Sequence, residues 1–495
     1  MLWRRLSDFL MNFLLLLTVC FASFSPSSNG EPYSLGTDKF LFLDDFLLDE
    51  IERAEFTVNP PQCTSLVLIA DRPWENGGIT SYGNVLWDPQ AEEYRLYYVP
   101  VCWDVQPGFC LAMATSKDGV HWEKPNLGAV EWKGSRENNI VVLGQREGTV
   151  IIDPNAPPER RYAFISSEPT LKTRLFTSPD GIHFTMDDQP VSDLHSDSQI
   201  STFWDGDAGM YFHYPRRVLD GFRAAGFVAT RNIDDPWPEP DSIPVVMSRD
   251  ERDLPELDLY TNAAQKYARN AYLAFPTPYY HYNRPPERAY LNEPILAKGG
   301  KSNDGTIESQ LATSRDGRSW RRYRTPYVPL GNYQGLDVKI AMAVPGILER
   351  DNRLYQYFMG YTFTHGDVRI RYGQGGRHLG GVFLVEQRVD GFISLDFEYE
   401  GGTVTTEPFV FEGNRLELNL NTSASGQAQV AILDAEGNEV SGFGTGEARI
   451  INGDYLSATV AWKDGNSDVS ALAGKPVRLR FVCRGTKLYS FQFKK

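Results

Sequence analysis

One phrase occurs three times in this chain, as TSKDGVHW at residues 115–122, as TSPDGIHF at residues 177–184 and as TSRDGRSW at residues 313–320. In each copy, Asp-Gly is expected to form a tight turn whose Gly adopts a positive φ, and the Ser and Asp side chains can bond the turn backbone. The aromatic residue that ends the phrase then packs the outgoing strand. The phrase predicts a hairpin within a repeated unit, with structural roles for Asp118, Asp180 and Asp316.

A second recurrence lies upstream of the turns, where an apolar strand and a polar turn precede a tyrosine-rich strand. Units of this kind begin near residues 81, 147, 197, 260 and 338, about 64 residues apart on average, a spacing typical of four-stranded blades with long loops. Helical periodicity is confined to a short possibility over residues 257–266. We therefore expect a five-bladed β-propeller over residues 38–378, with Lys39–Leu43 or Glu55–Val58 completing the last blade.

Residues 380–495 follow a different pattern. Short alternating strands are separated by turns such as Asp390-Gly391, Glu436-Gly437 and Asp464-Gly465. This spacing predicts an antiparallel β-sandwich, so the whole chain is expected to be all-β. The sandwich is expected to support the propeller, and an independent sugar-binding module is the alternative.

Charge and composition narrow the classes of partner. The 495 residues include 49 Lys and Arg and 64 Asp and Glu, which gives a net charge of −15. The electrostatic field of this negative charge repels phosphate, so we expect no nucleic-acid partner. Aromatic residues make up 13% of the chain, which favours strands and sugar-stacking surfaces. A carbohydrate is the partner that this composition favours.

The first thirty residues predict an export signal. Arg4 and Arg5 precede an apolar segment over residues 13–24, and SPSSNG follows that segment at residues 25–30. An uncleaved anchor is the alternative; with the signal removed, we expect a secreted, periplasmic or cell-surface protein with no membrane partner. Four cysteines remain: Cys102 and Cys110 flank a Pro-Gly loop and can form a disulfide, or all four are buried thiols.

Several further motifs carry a resemblance: Leu43-Asp44-Asp45, YGNVLWD at residues 82–88, Asp390-Gly391-Phe392 and AGKP at residues 473–476. With the Ser-x-Asp-Gly turns, they resemble exported bacterial proteins classed as glycoside-hydrolase-like. Those are five-bladed propellers related in architecture to the invertase/levanase and arabinanase families, often with a trailing β-sandwich. The resemblance covers most of residues 38–495 and implies sugar chemistry without naming the sugar.

The chain departs from those families at their catalytic motifs. The invertase-like WxNDPNG signature is absent, as are the family's Arg-Asp-Pro and Glu-Cys motifs, so no family catalytic residue can be transferred by position. The turns also differ from sialidase Asp-boxes, which have one more residue between Ser and Trp. Candidate residues must therefore come from the repeat itself.

Hydrolysis of a glycosidic bond typically needs two carboxyl groups, one to protonate the leaving oxygen and one to attack or to activate water. In a propeller the innermost strands converge, so acids at their beginnings can meet. Asp197, Asp258 and Asp337 begin the third, fourth and fifth units. Glu75 is the candidate general acid, because the ring of the adjacent Trp74 could raise the pKa of Glu75 by desolvation. Each acid is alternatively a turn former or an arginine partner, and Glu308 can face either side of its strand.

Residues near the same unit beginnings are candidates for sugar binding: Trp74, Tyr82, Tyr260 and His365 by stacking or hydrogen bonding, and Arg216 by pairing with an acidic sugar or an axial carboxylate. Core packing is the alternative for each aromatic residue. The seven histidines have no metal-ligand spacing, so we predict no metal site and no cofactor; Ca²⁺ near the axis is compatible with the sequence but not demanded by it.

The hypothesis that follows is an exported glycoside hydrolase that cleaves a polysaccharide or oligosaccharide with a pair of carboxylates at the propeller axis. A non-catalytic carbohydrate-binding or cell-surface propeller is the alternative, because the same aromatic residues can bind sugar without catalysis.

Overall fold

The computed structural model describes residues 31–101, 108–146, 148–167, 172–281, 304–366 and 380–495. Within those ranges the regular structure is β-strand with 3-10 turns of three residues, which confirms the all-β prediction. The helix considered for residues 257–266 is wrong, because Leu257–Leu259 and Gln265–Ala268 are strands. No helix in the described ranges has the length and apolarity to cross a membrane.

The strands are numbered in chain order. The first twenty are β1 (Tyr33–Gly36), β2 (Lys39–Leu41), β3 (Leu48–Glu52), β4 (Ala54–Val58), β5 (Gln62–Ile69), β6 (Ile79–Asp88), β7 (Glu93–Pro100), β8 (Cys110–Ser116), β9 (Ile140–Leu143), β10 (Val150–Ile152), β11 (Tyr162–Ser167), β12 (Thr173–Ser178), β13 (Thr185–Ser192), β14 (Ser201–Asp205), β15 (Met210–Tyr214), β16 (Arg216–Leu219), β17 (Phe222–Gly226), β18 (Val228–Thr230), β19 (Val245–Met247) and β20 (Leu257–Leu259). The next are β21 (Gln265–Ala268), β22 (Ala271–Ala274), β23 (Pro278–His281), β24 (Gly305–Ile307), β25 (Ser309–Ser314), β26 (Arg321–Val328), β27 (Gly331–Tyr333), β28 (Leu336–Val338), β29 (Ile340–Ala343), β30 (Leu348–Arg350), β31 (Arg353–Tyr361), β32 (Gly380–Arg388), β33 (Ile393–Phe397), β34 (Gly402–Thr406), β35 (Phe409–Phe411), β36 (Arg415–Asn421), β37 (Gln427–Leu433), β38 (Asp454–Thr459), β39 (Arg478–Arg484) and β40 (Thr486–Lys494). The 3-10 turns are Pro73–Glu75, Pro158–Arg160, Pro240–Ser242, Lys463–Gly465 and Ser470–Leu472.

The chain divides into two compact units. The larger contains Leu41–Leu43 and Phe56–Leu395, and the smaller contains Asp44–Glu55 and Asp396–Lys495 with the described residues up to Phe40. The larger unit therefore continues past residue 378, the predicted end of the propeller.

Antiparallel sheets follow one another along the larger unit and are called sheets I to V. Their strand orders are β6-β7-β8-β9 (I), β10-β11-β12-β13 (II), β14-β15-β18 (III), β21-β22-β25-β26 (IV) and β29-β31-β32-β5 (V). A hairpin sheet, β16-β17-β19, departs from sheet III, and β20, β23 and β24 join sheet V through the parallel pair Ile307 and Ile340. Each sheet thus begins close to one of the predicted unit beginnings.

Hydrogen bonds link the first strands of these sheets into a closed ring. The bonds are Asn84 Nδ2 to Val150 O (2.8 Å), Thr149 Oγ1 to Ile200 O (3.0 Å), Ala264 N to Ser201 Oγ (3.1 Å), Gly346 N to Gln265 Oε1 (3.0 Å) and Val85 N to Pro345 O (3.0 Å). A closed series of antiparallel sheets leaves few exposed edges, as in a β-propeller. The propeller class is confirmed, whereas the count of five blades and the β-sandwich stay predictions.

The strand that completes sheet V is not one of those predicted. Gln62–Ile69 pairs antiparallel with β32 along registers such as Ile69 with Gly381 and Gln62 with Glu386. Lys39–Leu41 and Ala54–Val58 pair with other strands. The sequence pattern did not identify this strand, because β2, β4 and β5 are all short, apolar and alternating. Only the register with β32 distinguishes β5 from the other two.

The three turn phrases adopt one geometry. In the second copy, Ser178 Oγ accepts a hydrogen bond from Gly181 N (2.9 Å), and Asp180 Oδ1 accepts from Ile182 N and His183 N (both 2.9 Å). Gly119, Gly181 and Gly317 have φ of +73°, +74° and +70°. The predicted structural role of the aspartates is therefore observed in the turn geometry.

Each turn also accepts a hydrogen bond from a buried tyrosine of the neighbouring sheet. The hydroxyl groups of Tyr357, Tyr97 and Tyr214 donate to the carbonyl oxygens of Gly119 (2.7 Å), Gly181 (3.0 Å) and Gly317 (2.6 Å). A second set of tyrosines donates to an aspartate at the end of a first strand: Tyr162 to Asp88, Tyr211 to Asp153 and Tyr272 to Asp205. The repeated motifs therefore encode contacts between sheets as well as hairpins.

We expect Gly181→Ala to destabilise the protein by about 2 kcal/mol, because alanine disfavours a positive φ and because the new methyl crowds a filled space. A Cβ at this position would lie 2.5 Å from the Tyr97 hydroxyl. Gly209 has φ +63° with nothing within 4 Å, so Gly209→Ala should cost only about 1 kcal/mol. Urea unfolding of both variants measures the difference, and equal losses would contradict the proposed tyrosine contact.

Apolar clusters fill the spaces between neighbouring sheets. Residues from facing strands include Leu96 with Met359 between sheets I and V, Tyr97 with Phe164 between I and II, Ile165 with Tyr211 between II and III, and Phe212 with Tyr272 between III and IV. All are buried. A sheet between two neighbours packs one face against each neighbouring cluster. Its strands are therefore nearly continuous apolar segments in the sequence.

The smaller unit contains two antiparallel arrays of strands, β3-β34-β39-β37 and β38-β36-β40. Phe481 of β39 and Phe491 of β40 bring the arrays into contact, with ring centroids 5.9 Å apart. Trp462 is buried, and its Nε1 donates to Val430 O (2.9 Å). This core belongs to the smaller unit itself.

Acid is expected to destabilise the larger unit. Burial opposes the shift, but hydrogen bonds from His121 and His183 and from the turn backbone hold the pKa values of Asp118 and Asp180 below the usual range. A folded-state pKa below the unfolded value of about 3.9 gives stability that is present above that pH and is lost as pH falls through the folded pKa. Urea midpoints should therefore drop on acidification below about pH 4, and a midpoint independent of pH would contradict this.

Candidate functional site

The beginnings of the first strands of sheets I, III and IV are held together by direct hydrogen bonds. Ser198 Oγ donates to Tyr260 O (2.7 Å), and Gln199 Nε2 donates to Gly83 O (2.8 Å). We call this end of the ring the entry mouth and define it by Tyr82, Asp197, Arg216, Tyr260 and His365. The cavity beside Ser198 and Tyr260 has a volume of about 10 Å³, which is room for water alone.

Tyr260 is at the centre of the entry mouth. Its hydroxyl lies 3.3 Å from the Tyr82 hydroxyl and 3.2 Å from His365 Nε2, and His365 Nδ1 lies 3.1 Å from the Tyr279 hydroxyl. The ring brings together three candidates that are far apart in the sequence. Their role in sugar binding stays a prediction.

Asp197 presents an accessible carboxylate at the mouth. Its side chain is 42% exposed, and its oxygens accept from Arg146 Nη2 (2.9 Å) and Arg216 Nη2 (3.1 Å). The residue has φ +41°, a conformation that Asp and Asn adopt more readily than most residues. Arg216 also donates to the backbone carbonyl oxygen of Asp197 (3.0 Å).

Asp258 lies below the surface on β20. Its side chain is 2% exposed and accepts from Arg223 Nη1 (2.7 Å), with His281 Nε2 at 2.8 Å. The Arg223 guanidinium lies 5.3 Å from the Tyr260 ring centroid and 5.8 Å from that of Tyr279, within the range of cation–π attraction. Asp258 therefore positions Arg223 beneath the aromatic residues of the mouth.

Glu75 and Trp74 are buried, and the surroundings of Glu75 correct its prediction as a general acid. The carboxylate is 1% exposed and accepts hydrogen bonds from Asp71 N (2.8 Å), Arg72 N (2.9 Å), Tyr98 Oη (2.7 Å) and Lys124 Nζ (2.7 Å). A carboxylate enclosed by four donors cannot reach a glycosidic oxygen. Trp74 donates to Asn139 Oδ1 (2.8 Å) and packs against Trp132, so it is a core residue.

Two further acids are also placed outside the mouth. Asp337 is exposed on β28 and accepts from Asn332 Nδ2 (2.8 Å) within the hairpin of β27 and β28. Glu308 accepts from the Tyr280 hydroxyl (3.0 Å), and burial raises the pKa of its carboxyl. Tyr280 and Tyr279 are adjacent on β23 and point to opposite faces, so Glu308 is on the face away from His365.

The sequence did not predict Arg146, Arg223, His281, Tyr279 or His195 as site residues. Burial, together with the positive charges of Arg216 and Arg146, holds the pKa of His195 below its ordinary value. Among the described residues, no group of three or more His, Cys, Asp and Glu side chains could hold a metal ion. The predicted bridge between Cys102 and Cys110 cannot be placed, because Cys102 lies outside the described residues.

No protein-family model matches this chain, and no curated protein sequence matches it. Among solved structures, it resembles an N-acetylgalactosamine deacetylase from F. plautii, at 12% identity and TM-score 0.41, over 68% of this chain and 96% of the other. A glycosyl hydrolase from Bacteroides ovatus has 14% identity and TM-score 0.42, over 67% and 94%. A fructofuranosidase from Schwanniomyces occidentalis has 12% identity and TM-score 0.36, over 88% and 98%.

Glycoside hydrolases are therefore among the structural neighbours, which is the coarse class that the sequence resemblance implied. At these identities and TM-scores the likeness carries no argument about the activity of this chain. The entry mouth itself holds an accessible carboxylate between two guanidinium groups, and a tyrosine and a histidine that are hydrogen-bonded to each other.

Proposed function

We propose that this protein is an exported glycoside hydrolase that cleaves a polysaccharide or oligosaccharide at the entry mouth. The observation that carries the proposal is the position of the exposed Asp197 carboxylate in a ring opening that also holds Tyr82, Tyr260 and His365. Aromatic rings with hydroxyl and imidazole groups suit a sugar, which presents both apolar faces and hydroxyls. Export is proposed from the signal-like residues 1–30.

The proposed reaction uses Asp197 and Tyr260 in different roles. An Asp197 oxygen, or a water that Asp197 deprotonates, forms a bond to the anomeric carbon while the bond from that carbon to the leaving oxygen breaks. The Tyr260 hydroxyl gives its proton to the leaving oxygen and recovers one through His365. Where Asp197 attacks, water then adds to the anomeric carbon, breaks the bond from that carbon to Asp197 and gives its proton to Tyr260. Where Asp197 deprotonates water, that proton returns to Tyr260 through solvent and His365. Asp258 acts indirectly, by holding Arg223 beside Tyr260.

A second candidate function, carbohydrate binding without hydrolysis, is favoured by one specific observation. Both acids of this region are already paired with arginines, Asp197 with Arg146 and Arg216, and Asp258 with Arg223. Pairing with arginine stabilises the ionised form of a carboxyl group and fixes its position. The carboxyl group is then less available for proton transfer. The same arginines could also hold an acidic sugar.

A glycan panel separates the two candidates when each glycan is scored for reducing-end release and for binding to the purified protein. Release of reducing ends from at least one glycan supports hydrolysis. Binding without release supports the carbohydrate-binding function and overturns the hydrolase. Neither binding nor release from plant, algal and fungal glycans would overturn both.

Tyr260→Phe is expected to lower kcat about 10²-fold, because it removes the proposed proton donor and keeps the ring. KM should change little, since the aromatic surface stays in place. Tyr82→Phe is the matched control: it removes a hydroxyl 3.3 Å from that of Tyr260 and should lower kcat by less than about tenfold. Equal effects of the two variants on kcat would contradict the assignment of Tyr260 as the proton donor.

A further inference from the structure

We propose that a second cavity on the ring binds a single neutral sugar residue. It has a volume of about 290 Å³ and is lined by residues of the first strands of sheets I to IV and by Pro345 and Gly346 after β29. We call it the far cavity. Its volume is at the lower limit for small-molecule pockets, which suits a ligand of one ring.

The far cavity is separated from the entry mouth by hydrogen-bonded side chains. Along β6, Tyr82 belongs to the mouth, Gly83 accepts the bond from Gln199, and Asn84 lines the far cavity. Asn84 Nδ2 donates to Val150 O and its Oδ1 accepts from Val150 N, both at 2.8 Å. These bonds lie between the two spaces along the strand, so occupancy of one does not require occupancy of the other.

Two tryptophans give the far cavity an aromatic lining. Trp87 and Trp204 lie one residue before the ends of β6 and β14. The centroid of each indole lies 4.7 Å from that of a tyrosine of the following strand, Tyr94 for Trp87 and Tyr211 for Trp204. These contacts fix the indoles, and Trp87 still keeps 42% of its surface exposed. A fixed, accessible indole offers a face on which the carbon–hydrogen surface of a sugar ring can pack.

The polar lining includes one buried side-chain amide donor that no described residue accepts. Gln265 Oε1 accepts from Gly346 N, whereas its buried Nε2 has no hydrogen-bond partner among the described residues. Thr149 and Thr202 are engaged with Ile200 O and His213. A buried donor without a partner is unfavourable, and because Nε2 has almost no accessible surface, a ligand hydroxyl oxygen satisfies it when the Gln265 amide turns towards the far cavity.

The charges around the far cavity favour a neutral ligand. Lys266, the cation of the lining, is held by Asp205 and Asp207. Asp205 is also the acceptor for the Tyr272 hydroxyl, so neither charge of the pair is available to a ligand ion. Two indoles and one amide donor, with no available charge, fit a neutral pyranose.

The test titrates the protein with D-glucose, D-galactose and D-mannose and follows tryptophan fluorescence and saturation-transfer NMR. Gln265→Glu keeps the oxygen that accepts from Gly346 N and removes the Nε2 donor, so we expect about tenfold weaker binding of the preferred sugar. Trp87→Ala, which removes an exposed ring, should abolish it. Thermal unfolding of each variant establishes that it is folded.

Tyr260→Phe is the matched control for the entry mouth and should leave monosaccharide binding unchanged. Loss of binding in Tyr260→Phe with retention in Gln265→Glu and Trp87→Ala would overturn the far cavity, as would no binding of any of the three sugars. The test measures monosaccharide binding, so it remains valid if the protein does not hydrolyse glycans. Glycan cleavage by Gln265→Glu should match that of the unsubstituted protein.

Discussion

Asp197→Asn is expected to lower the rate of glycan hydrolysis about 10⁴-fold, which in most assays is complete loss. An amide oxygen carries no negative charge, so it can neither attack the anomeric carbon nor take a proton from water. The fold should be retained, because Asn adopts a positive φ as readily as Asp and its oxygen can still accept from one arginine. Sugar binding should also remain, since Tyr82, Tyr260 and His365 are unchanged.

Asp241→Asn is the matched control for this variant. Asp241 is a fully exposed aspartate whose carboxylate lies 4.0 Å from Arg217, so the substitution makes the same chemical change to an Asp–Arg pair outside the mouth. Its turnover should equal that of the unsubstituted protein. Unchanged hydrolysis by Asp197→Asn on a cleaved glycan would remove Asp197 from the mechanism.

Asp88→Ala is expected to cost about 3–5 kcal/mol of unfolding free energy, because it leaves buried donors without their acceptor. Asp88 is 1% exposed, accepts from the Tyr162 hydroxyl and from Arg161, and lies 3.1 Å from Arg95 Nη2. Although burial opposes it, the bonds from Arg161 and Tyr162 hold the pKa of Asp88 well below the usual range. The substitution therefore breaks the contact between sheets I and II.

Asp207→Ala provides the comparison for Asp88→Ala in urea unfolding at neutral pH. Asp207 pairs with Lys266 but is 52% exposed, and an exposed pair contributes little, so its loss should cost less than about 1 kcal/mol. A cost for Asp88→Ala as small as that for Asp207→Ala would mean that the tyrosine–aspartate contacts do not hold the sheets together.

Much of the fold could be predicted from the sequence, because its repeats are local. The Asp-Gly turns and the Trp87-Asp88 and Trp204-Asp205 endings each specify a hairpin and a contact with the next sheet. The strand that closes sheet V was mispredicted because its identity depends on a register with β32 more than 300 residues away. Nothing in its local pattern distinguishes it from β2 or β4.

The candidate site was predicted only in part, for the same reason. Asp197 and Tyr260 were candidates because the beginnings of repeated units converge where the first strands form a ring, whereas His365 follows β31 and lies outside those beginnings. Arg223 and His281 come from strands inserted outside the repeat, so no periodicity marks them. Glu75 was chosen for its neighbour in sequence, but its partners Tyr98 and Lys124 come from later parts of the chain and enclose it.

A crystal structure of Asp197→Asn with a cleaved glycan tests the central claim most directly. The account predicts a sugar seated over Tyr260, with its anomeric carbon facing residue 197 and its glycosidic oxygen within hydrogen-bond distance of the Tyr260 hydroxyl. A glycan whose scissile bond lies elsewhere on the protein, with the entry mouth empty, would contradict it.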